Sequence, residues 1–223
     1  MEIIRFVNDN LARSNCYVVK CGKKCFVVDP GEEKMTKVID FLEKNELEME
    51  AVLLTHGHWD HILGINSMME YKKVPLFVSE NGYEFLFNPE LSLCIWQNLE
   101  FKVDENLDIR KLKENDVIGF DGIIVDKNEK YEKNKKNKSE SIFKIIETPG
   151  HSSGDICFYS EKEKIMITGD TLFKGTYGRV DLPTSNPIEM GKSLKKLMQY
   201  PEDTKVYPGH SFDTTIGEEK RYY

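Results

Sequence analysis

Long apolar runs are absent from this 223-residue chain: the most apolar stretches, residues 25–28 (CFVV) and 51–54 (AVLL), stop after four residues each. A bilayer-spanning helix takes about 20, so no membrane segment is expected. Positive charge is also scarce. Lys and Arg number 31 against 38 Asp and Glu, a formal net charge of −7, so the chain as a whole has no attraction for nucleic acid or anionic lipid. Cysteine is sparse and irregular. The five, at 16, 21, 25, 94 and 157, form no C-x-x-C pair, which points to reduced, mostly buried thiols rather than a disulfide framework. Cys21 and Cys25 flank Gly22-Lys23-Lys24, where a bridge across a hairpin is the alternative to plain strand positions. The first residues, MEIIRFV, lack the basic region, long apolar core and small-residue cleavage site of a secretory signal. A cytoplasmic protein with small-molecule chemistry is the expectation.

What is present supports one sizeable core, since 39% of the residues are hydrophobic; a single domain over residues 1–223 is expected. Strand-like runs at 3–7, 16–20 and 25–28 open the chain with a β-hairpin. Met35, Val38, Ile39 and Leu42 then recur at helical spacing. Apolar runs at 51–54 and 74–78 enclose a helix-bearing segment, an α/β signal. Short strands are predicted at 101–103, 117–120, 123–125, 142–147, 156–160 and 164–168, forming a second, mainly antiparallel sheet. Asn186 as N-cap, Pro187 in the first turn and the stripe Met190, Leu194, Leu197, Met198 mark a late helix that Pro201 ends. Residues 205–207 supply a last strand. Residues 127–140 (KNEKYEKNKKNKSE) stand apart, with six lysines and three glutamates. Such a segment cannot bury itself, so a mobile loop is expected; a basic grip on an acidic partner is the other use for it.

Histidine is scarce but concentrated. Three of the five lie in Thr55-His56-Gly57-His58-Trp59-Asp60-His61, and the others end Thr148-Pro149-Gly150-His151 and Tyr207-Pro208-Gly209-His210. Every one follows a strand-like run, in a loop containing Gly or Pro, where reactive side chains are commonly displayed. Imidazole is the commonest protein ligand for zinc and neighbouring divalent metals. Counting donors gives His56, His58 and His151 for one ion and Asp60, His61 and His210 for another, with Asp170 of Thr168-Gly169-Asp170 between them. Seven protein ligands on two ions leave positions open for water, a catalytic rather than a structural pattern. Asp29, in Val28-Asp29-Pro30-Gly31, and Thr55 are candidates for orienting the ligands by hydrogen bonds, with ordinary turn and cap roles as the alternative. The expected cofactor is two divalent ions, zinc in the first instance, with iron or manganese as alternatives.

These motifs, from VVDPG through THGHWDH, TPGHSSGD and TGDTLF to PGH, resemble the metallo-β-lactamase superfamily along essentially the whole chain. The resemblance implies a four-layer αβ/βα sandwich: two sheets packed face to face, helices outside, the metal site at one edge. Residues 169–183 (GDTLFKGTYGRVDLP) and the closing TTIGEE at 214–219 are similar to small glyoxalase II-like enzymes, relatives of hydroxyacylglutathione hydrolase that cleave thioesters. The likeness places Arg179 where such enzymes hold the carboxylate of the thiol carrier. Asp181, standing where they commonly have tyrosine, offers that arginine a structural ion pair instead. Ile62-Leu63-Gly64 replaces the usual apolar-Gly-Gly. Residues 88–98 (NPELSLCIWQN) lie where relatives carry a cover over the site, with Leu93 or Trp96 as candidates to line a substrate pocket. Full-length glyoxalase II enzymes carry a C-terminal helical domain that helps hold glutathione; with thirteen residues after His210, no such domain is expected here.

The function expected is metal-dependent hydrolysis of a small-molecule thioester, with a metal-bound hydroxide attacking the carbonyl and Asp60 orienting it. A thiol of pKa near 8.5 leaves as thiolate with little help. Three alternatives stand beside this reading. One is a mononuclear iron persulfide dioxygenase using His56, His151 and Asp170; another is an RNA-processing nuclease gripping RNA through residues 127–138; the last is a non-enzymatic binding protein. No nucleic-acid or membrane partner is expected, and the oligomeric state is left open.

Overall fold

A computed structural model describes residues 1–120 and 141–223. Its two six-stranded sheets run β1-β2-β3-β4-β5-β6 and β12-β11-β10-β9-β8-β7. The first comprises β1 (Glu2–Val7), β2 (Asn15–Cys21), β3 (Lys24–Val28), β4 (Glu48–Leu53), β5 (Leu76–Ser79) and β6 (Ile109–Leu112). Its first three strands are antiparallel neighbours and the rest are added in parallel. The second comprises β7 (Val117–Gly119), β8 (Ser141–Glu147), β9 (Ile156–Ser160), β10 (Ile165–Gly169), β11 (Lys205–Pro208) and β12 (Thr214–Thr215). All its pairings are antiparallel except β10 with β11.

Strand alternation divides the apolar side chains between two faces. In β2, Tyr17 and Val19 face the other sheet, while Cys16 and Val18 face helices α1 (Thr36–Lys44) and α3 (Ile65–Tyr71). In β10, Ile165 and Ile167 meet the first sheet and Met166 packs against helix α4 (Pro187–Leu197). Three hydrophobic clusters result: helix on sheet, sheet on sheet, and sheet on helix. This is the four-layer αβ/βα sandwich that the motifs implied. The N-cap prediction holds, for the Asn186 side chain accepts from the backbone N–H of Ile188 and of Glu189.

One strand prediction changes, and one strand was not predicted. Residues 101–103 form no strand; Val103 is buried beneath the first sheet's outer face, and the edge belongs to β6, paired in parallel with β5. The sequence IRKL of β6 holds too many charges to read as a strand, yet an edge position solvates them. Predictions at 123–125 and for the lysine-rich 127–140 segment fall outside the described residues. The cysteines are free, four buried and Cys21 exposed, and Cys21 pairs across the hairpin with Lys24 rather than Cys25. Among the described residues, no helix is long and apolar enough to cross a membrane.

Candidate metal centre

Loops at the C-terminal ends of β3, β4, β8, β10 and β11 meet at one edge of the sandwich. The β4 loop runs into helix α2 (Trp59–Ile62), which starts immediately after His58. Its carbonyl at Thr55 accepts from the N–H of Ile156 at 2.9 Å, joining the two sheets beside the site. At the end of β10, Gly169 takes φ +49°, and a Cβ there would overlap Thr55. Only glycine permits both the left-handed turn and the close approach that bring Asp170 beside the β4 loop.

The seven residues predicted as metal ligands come together. Three groups, His56/His58/His151, His56/His61/Asp170 and Asp60/His61/His210, each bring their donor atoms within 4.8 Å of one another. Asp170 lies between the rings of both sets: its Oδ2 is 3.4 Å from His151 Nε2 and 3.3 Å from His210 Nε2, and its Oδ1 is 3.4 Å from His61 Nε2. Asp60 Oδ2 stands 3.2 Å from His210 Nε2 and 3.4 Å from His61 Nε2.

Four of the five imidazoles are held by the same device. His61 Nδ1 donates to Asp29 Oδ2 at 3.0 Å, His151 Nδ1 to the carbonyl of Arg179 at 2.9 Å, and His210 Nδ1 to the carbonyl of Ala12 at 3.1 Å. His56 Nδ1 donates to Thr55 Oγ1 at 3.1 Å, and that hydroxyl passes its own proton to Asp29 Oδ2 at 2.7 Å. Each outer nitrogen thus donates a proton to its partner, so the inner Nε2 is the atom that would face a cation, which His61 and His210 could ligate only after giving up the proton their carboxylate neighbours favour there. His58 is turned the other way, its Nδ1 2.8 Å from His151 Nε2. Asp29 and Thr55 therefore make the hydrogen bonds predicted for them, and the Asp29 carboxylate also accepts from the Thr55 N–H at 2.8 Å.

Electrostatics separate neutral rings from charged groups. Burial, reinforced by His61, holds His56 well below the usual imidazole range, and burial with His151 brings His58 to about 3. Burial opposes the charge on Asp60 and Asp170 too, but His61 and His210 outweigh it and both carboxyls titrate well below their ordinary range. In turn, against the effect of burial, the carboxylates raise His61 well above its ordinary value and His210 to about 10. Two ionised carboxylates, 6% and 7% exposed, create a demand for positive charge. Meanwhile the Nε2 atoms of His56 and His61 and Oδ1 of Asp170 are buried without a hydrogen-bond partner. Unsatisfied inward donors around anionic oxygens fit divalent cations.

The sequence did not single out the β1–β2 turn or the backbone carbonyls of Ala12 and Arg179. The turn's run of Asn8, Asn10, Ser14 and Asn15 was a visible signal, being rich in side chains that bond to backbone. The Arg179 guanidinium binds both carboxylate oxygens of Asp181, at 2.7 and 2.8 Å. In the cover segment, Leu93 is buried and Trp96 is 57% exposed. A cavity of about 490 Å³ is lined in part by Asn10, Leu11, Glu32, Lys34, Trp59 and Gln97, and none of the donors is in its lining. A larger cavity, about 580 Å³, lies between α3 and residues 102–107 and contains none of the donors.

Residues 10–210 match the Metallo-beta-lactamase superfamily. The chain belongs to that superfamily. Among its relatives, hydroxyacylglutathione hydrolase GloC of Haemophilus influenzae is 30% identical over 217 residues, covering 94% of this chain and 91% of the relative. Among solved structures, the BLEG-1 B3 metallo-beta-lactamase superposes with a TM-score of 0.84 at 25% identity, covering 99% of this chain and 97% of the other. TTHA1623 in a di-iron-bound form gives 0.76 at 26% identity, with 99% and 98% coverage. Membership in the superfamily, together with the clustered His and Asp donors, supports a metal-dependent hydrolase.

Proposed function

We propose that this metallo-β-lactamase superfamily member hydrolyses a thioester of the hydroxyacyl type at a site holding two divalent ions. The supporting observation is the double donor set. His56, His58 and His151 would hold one ion, Asp60, His61 and His210 the other, and Asp170 would lie between them. A mononuclear iron site made from His56, His151 and Asp170 would leave Asp60, His61 and His210 converged without a purpose. Thioester cleavage is supported by the 30% identity to a hydroxyacylglutathione hydrolase. When bound, the ions supply Lewis acidity and lower the pKa of water from 15.7 toward about 7.

The chain's own residues do the positioning. Asp60, kept ionised and 6% exposed, accepts a hydrogen bond from the attacking water and sets its direction. Asp29, Thr55 and the carbonyls of Ala12 and Arg179 hold the imidazoles in one tautomer and orientation. Arg179 serves the site through its carbonyl. Its guanidinium, occupied by Asp181, reaches a substrate carboxylate only by giving up that ion pair.

Metal analysis coupled to a substrate screen tests the reading. Purified protein should carry two ions, release thiol from a hydroxyacyl thioester, lose that activity to a chelator and regain it with zinc, iron or manganese. One iron per chain with oxygen uptake on a persulfide would overturn it, as would turnover of RNA or a β-lactam with an inert thioester.

A further inference from the structure

The β1–β2 turn makes hydrogen bonds to the loops that carry Asp60, His61 and His210. Ser14 Oγ donates to the carbonyl of Asp60 at 2.5 Å. Asn10 Nδ2 reaches the same carbonyl at 3.2 Å and that of Gly31 at 2.9 Å. Asn8 Nδ2 spans Ser14 Oγ, at 2.9 Å, and the carbonyl of Asp29, at 3.3 Å. The carbonyl of Ala12 accepts from His210 Nδ1 at 3.1 Å, and the Asn15 N–H donates to the carbonyl of Gly209 at 2.6 Å. Among the described residues, none of the hydrogen bonds from residues 8–15 reaches His56, His58 or His151.

We propose that Ser14 and Asn10 are positioning residues that set the affinity of the Asp60/His61/His210 metal position separately from the other. The inference rests on the two-metal reading above. Its physical basis is the α2 backbone. Asp60 lies in the first turn of this four-residue helix, where side-chain direction follows directly from the placement of the peptide unit. Two donors converging on the Asp60 carbonyl fix that unit, and Ser14, fully buried, also accepts from Asn8 and Asn10. Losing either donor frees Asp60 to turn away from His210, while the Asp29–Thr55–His56 chain remains to hold the other position.

Cobalt(II) titration followed by visible spectroscopy and by metal analysis after gel filtration provides the test. Wild-type protein, Ser14→Ala, Asn10→Ala and, as a control in the same turn, Arg13→Ala would be compared, with thermal melts of each metal-free protein. Wild type and Arg13→Ala should take two equivalents. The Ser14→Ala and Asn10→Ala variants should take the first with unchanged affinity and spectrum, and the second about 10–100-fold more weakly. Asn10, only partly buried, keeps the test open if Ser14→Ala does not fold. Equal weakening of both equivalents, or two equivalents bound as tightly as in wild type, would overturn the proposal. A single equivalent in wild type would instead remove the two-metal reading, and this proposal with it.

Discussion

Asp29 accepts the Nδ1 proton of His61 at 3.0 Å from a backbone held at φ +52°, a left-handed conformation. The strain costs on the order of 1 kcal/mol, and Asp tolerates it better than most residues. Its return is reach. From this position one carboxylate also takes the Thr55 hydroxyl and, through it, His56, so a single side chain orients one ring in each of the two proposed metal positions.

Asp29→Asn should therefore weaken both positions. An amide keeps the shape but presents an N–H to at least one of the donors that now converge on the carboxylate. Chelator competition is expected to show metal affinity lowered about 10–100-fold. Affinity equal to wild type would contradict the arrangement.

Removing the ligands separates the two positions. Asp170→Ala should lose both ions, because its two oxygens face His61, His151 and His210 at 3.3–3.4 Å. His210→Ala should retain the first ion and weaken the second. Metal analysis on gel-filtered protein distinguishes these outcomes, and full activity in either variant would contradict the assigned roles.

Gly209 lies close beneath Asp170: a Cβ built on it would overlap Asp170 Oδ1 and press on His61. Gly209→Ala should lower metal content and thioester turnover together while leaving the far-ultraviolet circular dichroism intact. Wild-type metal content would show that the carboxylate moves aside at no cost.

Asn186, whose own N–H meets the Gly150 carbonyl beside the His151 loop at 2.8 Å, caps α4 through its side chain, and Asn186→Ala removes the acceptor for two N–H groups there without touching that backbone bond. Stability should fall by about 1 kcal/mol, read from urea unfolding, with metal binding unchanged. A shift in metal affinity would show that α4 couples to the site more strongly than its cap contacts imply.

The donors were legible in the sequence because chemistry restricts them. Few residue types bind divalent metals, and H-x-H-x-D-H with two distant P-G-H turns left little other use for five histidines. The strands of the central core were legible for a similar reason, since buried runs such as 25–28 and 156–160 must be apolar. The edge strand β6 was not, because an edge tolerates charge. The orienting carbonyls of Ala12 and Arg179 could not be read, as every residue has a carbonyl and only the fold says where it points.

The sequence by itself determined which side chains could bind metal and which alternating runs pair into sheets, because both depend on residue type and local spacing. Tertiary structure alone decided the rest. Asp29 takes the Nδ1 proton of His61 and the Thr55 hydroxyl together, the Ala12 carbonyl meets His210, and the β1–β2 turn bonds to the Asp60 carbonyl. Those outcomes join groups 26 to 198 residues apart in the chain at 2.5–3.2 Å, and such distances are set by the packing of the two sheets.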